Sequence, residues 1–259
     1  YTVGFNLSDY QSEVTKFDNE SKELGNWYVG QKQGEIWGYE TYGLFQSEQE
    51  IAGAANQDKV SGGIKLMPGD IRFVDRNNDG VIDWGDNTVD NPGDKKIIGN
   101  STPRYHYGIS LGADWKGFDL GIFFQGVGKR DLYLPGTSFR SHYGSEWQVP
   151  SAYNNDYWTE ENTGAYFPRA RFNGGSAINQ AQTRYMVDAS YCRLKSVSIG
   201  YTLPKVLTQK ASIEKIRIYF TGENLFTISD TPDGLDPELD NPYTYPMQRS
   251  LSVGLSLTF

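Results

Sequence analysis

The chain has 259 residues, with 32 acidic against 24 basic side chains and a net charge of −8, so no basic stripe is present to neutralise phosphates and a nucleic-acid partner is excluded. Mean hydropathy is −0.58, and no apolar run approaches the ~18 residues a spanning helix needs, which excludes a helical membrane protein. A β-barrel is not excluded, because its strands hide their hydrophobicity in alternation.

Abundant Gly (29), Tyr (18) and Phe (13) suit strands and turns. Six segments carry the period-two pattern of a strand, in which successive side chains face opposite sides. The first, Tyr1 to Asp9, sets Val3, Phe5 and Leu7 on one face. Tyr105 to Trp115 sets Tyr105, Tyr107, Ile109, Leu111, Ala113 and Trp115 against His106, Gly108, Ser110, Gly112 and Asp114. Phe118 to Gly128 opposes Phe118, Leu120, Ile122 and Phe124 to Asp119, Gly121, Phe123 and Gln125. A fourth strand runs from about Tyr185 to Tyr201 and is clearest at Val197, Ile199 and Tyr201. The fifth runs from Ile216 to about Phe226, and the sixth from Arg249 to Phe259. In the sixth, Leu251, Val253, Leu255, Leu257 and Phe259 alternate with Ser250, Ser252, Gly254, Ser256 and Thr258.

Lys116-Gly117 is a two-residue hairpin connection between the second and third strands, with Gly supplying positive φ. It pairs Trp115 with Phe118, Ala113 with Leu120, Leu111 with Ile122 and Ile109 with Phe124, all apolar and on one face. The opposite face pairs Asp114 with Asp119 and Gly112 with Gly121. A one-residue slip would spoil both faces. The connections are unequal. Residues 12–103, 131–184 and 229–247 make long loops on one side, while 116–117 and 203–214 make short ones on the other. Short periplasmic turns and long extracellular loops are the habit of outer-membrane barrels, which also carry aromatics at the membrane interfaces. The expected fold is therefore all-β, an antiparallel transmembrane barrel. Six strands are fewer than the eight or so of the smallest bacterial barrels. Because Tyr1 already lies in an alternating segment, the expectation is the C-terminal piece of a longer chain whose upstream part completes the wall.

Asp75-Arg76-Asn77-Asn78-Asp79-Gly80-Val81-Ile82-Asp83-Trp84-Gly85-Asp86 fits the twelve-residue calcium loop. Asp75, Asn77 and Asp79 take positions one, three and five, Gly80 the turn at six, the Val81 carbonyl seven, Asp83 nine and Asp86 twelve. An Asp at twelve is shorter than the usual Glu, and the flanks are not helical. The expectation is a structural Ca²⁺ that stiffens the loop; the competing account is an acidic Asx-rich turn that needs no metal.

The second long loop is rich in aromatics. His142, Tyr143, Trp147, Tyr153 and Trp158 are its candidates for contacting substrate, against the plainer expectation that they pack the loop against itself. No Ser-His-Asp order, HExxH or phosphate-binding glycine loop appears, so no enzyme is expected. Cys192 is the only cysteine and makes no internal disulfide.

Several short motifs, in order, resemble the SusC/RagA family of TonB-linked outer-membrane proteins. They are Tyr28-Val29-Gly30-Gln31, Gly34-Glu35-Ile36-Trp37-Gly38-Tyr39-Glu40, Gly69-Asp70-Ile71-Arg72-Phe73, Ile97-Ile98-Gly99-Asn100-Ser101-Thr102-Pro103-Arg104-Tyr105, Trp115-Lys116-Gly117-Phe118-Asp119-Leu120, Phe123-Phe124-Gln125-Gly126, Tyr191-Cys192-Arg193-Leu194-Lys195, Gly222-Glu223-Asn224-Leu225-Phe226 and Tyr245-Pro246. The resemblance implies the last strands of a plugged barrel of about 22 strands. It implies import of oligosaccharides or peptides across the outer membrane of a Gram-negative bacterium. The implied partners are the plug and upstream barrel of the same transporter, a SusD-like surface lipoprotein acting as a lid, membrane lipid, and the TonB complex acting through an N-terminal segment outside these residues. Ser110, Gln125, Arg217, Tyr219 and Glu223 would then line the lumen or meet the plug. The rival reading is a soluble or surface-attached β-sandwich that binds glycans with calcium.

Overall fold

The computed structural model describes residues 1–134, 156–171, 176–239 and 244–259. In chain order its strands are β1 (Thr2–Ser8), β2 (Glu35–Tyr39), β3 (Thr41–Leu44), β4 (Ile71–Phe73), β5 (Lys95–Asn100), β6 (Arg104–Trp115) and β7 (Phe118–Lys129). They continue with β8 (Asp131–Tyr133), β9 (Met186–Asp188), β10 (Tyr191–Thr202), β11 (Lys215–Glu223), β12 (Thr227–Ser229) and β13 (Ser250–Thr258). Three one-turn helices, α1 (Glu48–Ala52), α2 (Asp58–Ser61) and α3 (Lys205–Thr208), lie in the connections.

The chain divides into two compact units. Tyr1–Tyr10, Pro103–Asp131 and Asp188–Phe259 form the first, and Gln11–Thr102 with Leu132–Val187 the second. The first unit is one antiparallel sheet in the order β1-β6-β7-β10-β11-β13, with β12 added beside β10. The six expected strands are thus present as sequential neighbours. The β6–β7 hairpin has the register read from the sequence, from Trp115↔Phe118 to Ile109↔Phe124, with Asp114↔Asp119 and Gly112↔Gly121 on the other face. Both turn residues take positive φ, Lys116 at 48° and Gly117 at 90°, the backbone sense that matches the twist of the flanking strands.

The fourth strand differs from its expected span. It begins at Tyr191, because Thr183–Tyr185 is a 3-10 turn and the Asp188 carboxylate accepts the Ser190 amide to close the bend before β10. Inside β10 the pairing with β7 skips a residue between Leu194 and Ser196. This bulge at Lys195 shifts the alternation by one, so Leu194, Val197 and Ile199 share a face although their spacing is irregular. β11 stops at Glu223, where Asn224 turns with φ 51°.

The second unit is where the two longest connections go. Read from sequence as separate loops of one domain, 12–103 and 131–184 instead share a core. Tyr39, Val60, Ile71, Phe73 and Ile82 from the first pack with Trp158, Phe167, Ile178 and Tyr185 from the second. Backbone bonds join them: Tyr39 N donates to Ala181 O (2.8 Å), Arg169 N to Gly69 O (2.9 Å) and Ser176 N to Ser61 O (2.9 Å). Buried Gln57 serves as a strand edge, its amide donating to Ile71 O (2.7 Å) and accepting from Phe73 N (3.3 Å). Burying chain this long needs such a satisfied interior, since unpaired backbone groups are costly. The clustered hydrophobic core lies wholly in this second unit.

Candidate functional site

Register fixes the two faces of the sheet. Val3, Phe5 and Leu7 of β1 lie beside Leu111, Ile109 and Tyr107, and those of β6 beside Ile122 and Phe124. The same face continues through Ile199 and Tyr201 to Phe220 and Ile218, then to Val253 and Leu255. These side chains are open. Val3 is 69% exposed, Trp115 69%, Ile218 49% and Val253 79%. Among the described residues no second sheet packs over this face, which the sandwich reading requires. An uncovered apolar face spanning six strands is far larger than a soluble monomer tolerates, and it is what a lipid-facing wall presents.

The opposite face is polar. Ser110, Gln125, Arg217, Tyr219 and Glu223 all fall on it by register, with Asn6, Ser198 and Ser252. The like-charged Asp114/Asp119 pair is relieved there. Arg217 donates to both Asp119 oxygens, Nε at 2.8 Å and Nη2 at 2.5 Å.

At the long-loop end of that face a buried ionic clamp holds the segment after β12 against β10. Arg193, 3% exposed, donates to Asp236 (2.6 Å), to Glu238 (2.6 Å) and to the Thr227 hydroxyl (2.8 Å). Lys195 donates to both Glu238 oxygens (2.8 and 2.9 Å). Buried Arg130 donates to Pro237 O (2.9 Å). Burial pushes the Asp236 carboxyl up, but Arg193 and the Met247 and Glu238 amides outweigh it and hold the group below its ordinary value. Beside the clamp lies a cavity of about 480 Å³ lined by Arg193, Phe226, Thr227, Asp236, Met247 and Arg249. Sequence reading assigned no role to Arg193, Asp236 or Glu238. The available signal was two cations, Arg193 and Lys195, spaced two apart in a strand and therefore on one face.

In the acidic loop, Asp75 caps its own turn, its two oxygens accepting the Asn78 (2.7 Å) and Gly80 (2.9 Å) amides. Asn77 accepts from Asp79 N (3.1 Å), and Asp79 accepts from Val81 N (2.8 Å). Asp83 and Asp86 turn elsewhere, Asp83 to the Lys59 ammonium (2.7 Å) and Asp86 to the Asn91 amide (2.8 Å). Among the described residues no three His, Cys, Asp or Glu side chains gather closely enough to hold a metal. In this structure the oxygens of the candidate ligands are engaged by local amides, by Lys59 and by Asn91. Lys59 holds the Asp83 carboxyl below its ordinary value. Behind the loop, fully buried Asp94 accepts the Arg76 (2.7 Å) and Asp83 (2.8 Å) amides, and burial pushes its carboxyl up.

Of the five aromatic-loop candidates, His142, Tyr143, Trp147 and Tyr153 lie outside the described residues. Trp158 is 3% exposed. Its indole donates to Gln46 Oε1 (3.1 Å) and its ring carries the Arg169 guanidinium at 4.8 Å. It packs in the second unit's core and also borders a cavity lined by Tyr157, Thr159, Glu160, Arg169 and Arg171. Tyr28, Glu35 and Trp37 also pack together. The Tyr28 hydroxyl donates to Glu35 (2.7 Å) and accepts from the Trp37 indole (3.0 Å), and burial followed by the Glu35 contact pushes the phenol up to about 12.

No family model matches the chain. It is 31% identical over 248 residues to TonB-dependent receptor P3 of Formosa agariphila, covering 89% of this chain and 22% of that protein. It is 29% identical over 194 residues to TonB-dependent receptor SusC of Bacteroides thetaiotaomicron, covering 72% of this chain and 17% of that protein. The chain thus spans about a fifth of the length of these curated relatives. Its fold matches a part of the RagAB peptide importer in its open-open state, with a TM-score of 0.71 at 22% identity over 99% of this chain and 26% of that one.

Proposed function

We propose that this chain, which belongs to the SusC/RagA family of TonB-dependent outer-membrane proteins, forms part of the barrel wall of an active nutrient importer. The supporting observation is the six-strand sheet with one continuous, uncovered apolar face and one polar face. In this reading the apolar face meets outer-membrane lipid and the polar face lines the lumen or the plug. Backbone groups at the free edges of β1 and β13 must be paired within the membrane, so the remaining strands of a plugged barrel of about 22 strands adjoin them. The second unit is the extracellular part that meets cargo, a glycan or peptide oligomer, together with a SusD-like lipoprotein lid, and TonB supplies the energy.

Calcium enters in a narrower form than the sequence suggested. Asp75, Asn77, Asp79 and the Val81 carbonyl would hold the ion, which would offset repulsion among the loop carboxylates. Asp83 and Asp86 remain with Lys59 and Asn91.

The test is purification of the full-length protein from membranes in detergent, with intact-mass measurement and TonB-dependent uptake assays using glycan and peptide pools. The expected result is a larger polypeptide that needs detergent, carries a lipoprotein and imports one pool. A lone 29.1 kDa monomer that stays soluble without detergent would overturn the reading.

A further inference from the structure

The apolar face has a dent at its short-turn end. On β6 that face runs Ile109, Leu111, Ala113, Trp115, so one small side chain interrupts a row of large ones. The result is a groove of about 260 Å³ lined by Ala113, Trp115, Phe118, Asp119, Leu120 and Ile199. Its walls are open: Trp115 is 69% exposed, Phe118 52% and Ile199 47%. Phe118 is braced by Tyr201, ring centroids 4.5 Å apart, so that wall is fixed.

A cation stands at the mouth. The Lys116 ammonium lies 5.0 Å from the Trp115 ring centroid, and among the described residues it has no acidic partner. Asp119 also borders the groove, but its carboxylate is on the opposite, polar face, held by both arms of Arg217. The neighbouring turn is tied in by Thr202 N donating to Gly117 O (2.7 Å). That turn adds exposed Lys205 and Lys210 beside exposed Val206 (73%) and Leu207 (57%). Exposed Lys215 adds to these cations and exposed Asp114 and Glu214 oppose them, so in a chain of net charge −8 this end carries more exposed lysines than carboxylates beside its apolar face.

We infer that the groove holds an acyl chain of a glycerophospholipid with a net negative headgroup, its phosphate on Lys116 and the headgroup among Lys205 and Lys210. The inference rests on the membrane reading above. Lipid tails gain little from apolar protein surface over other tails, so selectivity comes from the headgroup charge. The groove fixes where that headgroup sits, and the lysine stem over Trp115 keeps the ammonium at the interface.

The experiment uses the full-length transporter reconstituted in nanodiscs of equal phosphatidylglycerol and phosphatidylethanolamine, then released for native mass spectrometry of retained lipid. The wild type should retain phosphatidylglycerol at least fivefold over phosphatidylethanolamine. Lys116→Gln should abolish the preference, Lys116→Arg should restore it, and Ala113→Leu, which fills the groove, should lower total retained lipid. No preference in the wild type, a preference unchanged in Lys116→Gln, or total retained lipid unchanged in Ala113→Leu overturns the site while leaving the membrane reading intact. A protein that stays soluble without detergent and does not enter the nanodiscs overturns the membrane reading itself.

Discussion

Asp119 and Arg217 form a two-pronged ion pair that crosses an intervening strand. Asp119 is on β7 and Arg217 on β11, with β10 between them. They meet over Gly200, where a Cβ would lie 2.5 Å from the guanidinium and from Asp119 Oδ1. Gly200 is thus a crossing point, and the pair ties three strands together while relieving the repulsion between Asp114 and Asp119.

Gly200→Ala should therefore resemble loss of the ion pair. The pair is partly exposed, so the expected loss is small. Arg217→Ala combined with Gly200→Ala should cost little more than either change alone, because both remove one interaction. Thermal unfolding in detergent is the readout, and fully additive losses would refute the crossing-point role.

Arg193→Ala should be more severe. It strands Asp236 and part of Glu238 where they are poorly solvated, at an expected cost of about 3–5 kcal/mol. Arg193→Lys should rescue only in part, since one ammonium cannot reproduce the planar fork. Limited proteolysis within residues 229–239 should accelerate in both variants, and an unchanged cleavage rate would show that the clamp does not hold this segment.

If the Asp75 turn takes up Ca²⁺, millimolar calcium should raise the melting temperature and a chelator should lower it. A ligand at a hundredfold over its Kd contributes about 2.7 kcal/mol. Asp75→Ala should remove the response while Asp86→Ala preserves it, because Asp86 is engaged by Asn91. No calcium response in the wild type would establish the turn as an amide-capped Asx motif without metal.

Two carboxylates give opposite pH dependence. The folded-state value of Asp94 lies above its ordinary 3.8 because of burial, so its contribution to stability grows as pH falls through that raised value and is complete below 3.8. Asp83 is held below 3.8, first by Lys59, so its contribution is present above 3.8 and is lost as pH falls through its folded value. Asp94→Asn should flatten the weakly acid limb of a stability–pH curve, and Lys59→Met should flatten the strongly acid limb. Curves parallel to the wild type would show that neither group titrates as its surroundings imply.

Trp158→Ala should destabilise the second unit by about 3–5 kcal/mol through the cavity it leaves. Trp158→Phe should recover most of that and lose the bond to Gln46. Cargo affinity of the folded Trp158→Phe transporter should match the wild type; a tenfold loss would return Trp158 to the substrate contacts.

Alternation and turn chemistry are local, so the six strands, the β6–β7 register and the inequality of the connections are legible along the chain. Where local periodicity broke, the reading weakened. The Lys195 bulge blurred the start of β10, because only pairing with β7 shows that one residue is skipped. Spacing alone suggested six ligands in the acidic loop. Only the tertiary structure shows that Lys59 and Asn91 reach the Asp83 and Asp86 oxygens from outside the motif. The shared core of residues 12–103 and 131–184, the burial of Trp158, the Asp119–Arg217 crossing and the Arg193 clamp all join residues dozens of positions apart. No local pattern encodes such contacts, because they depend on where the sheet and its connections bring distant segments together.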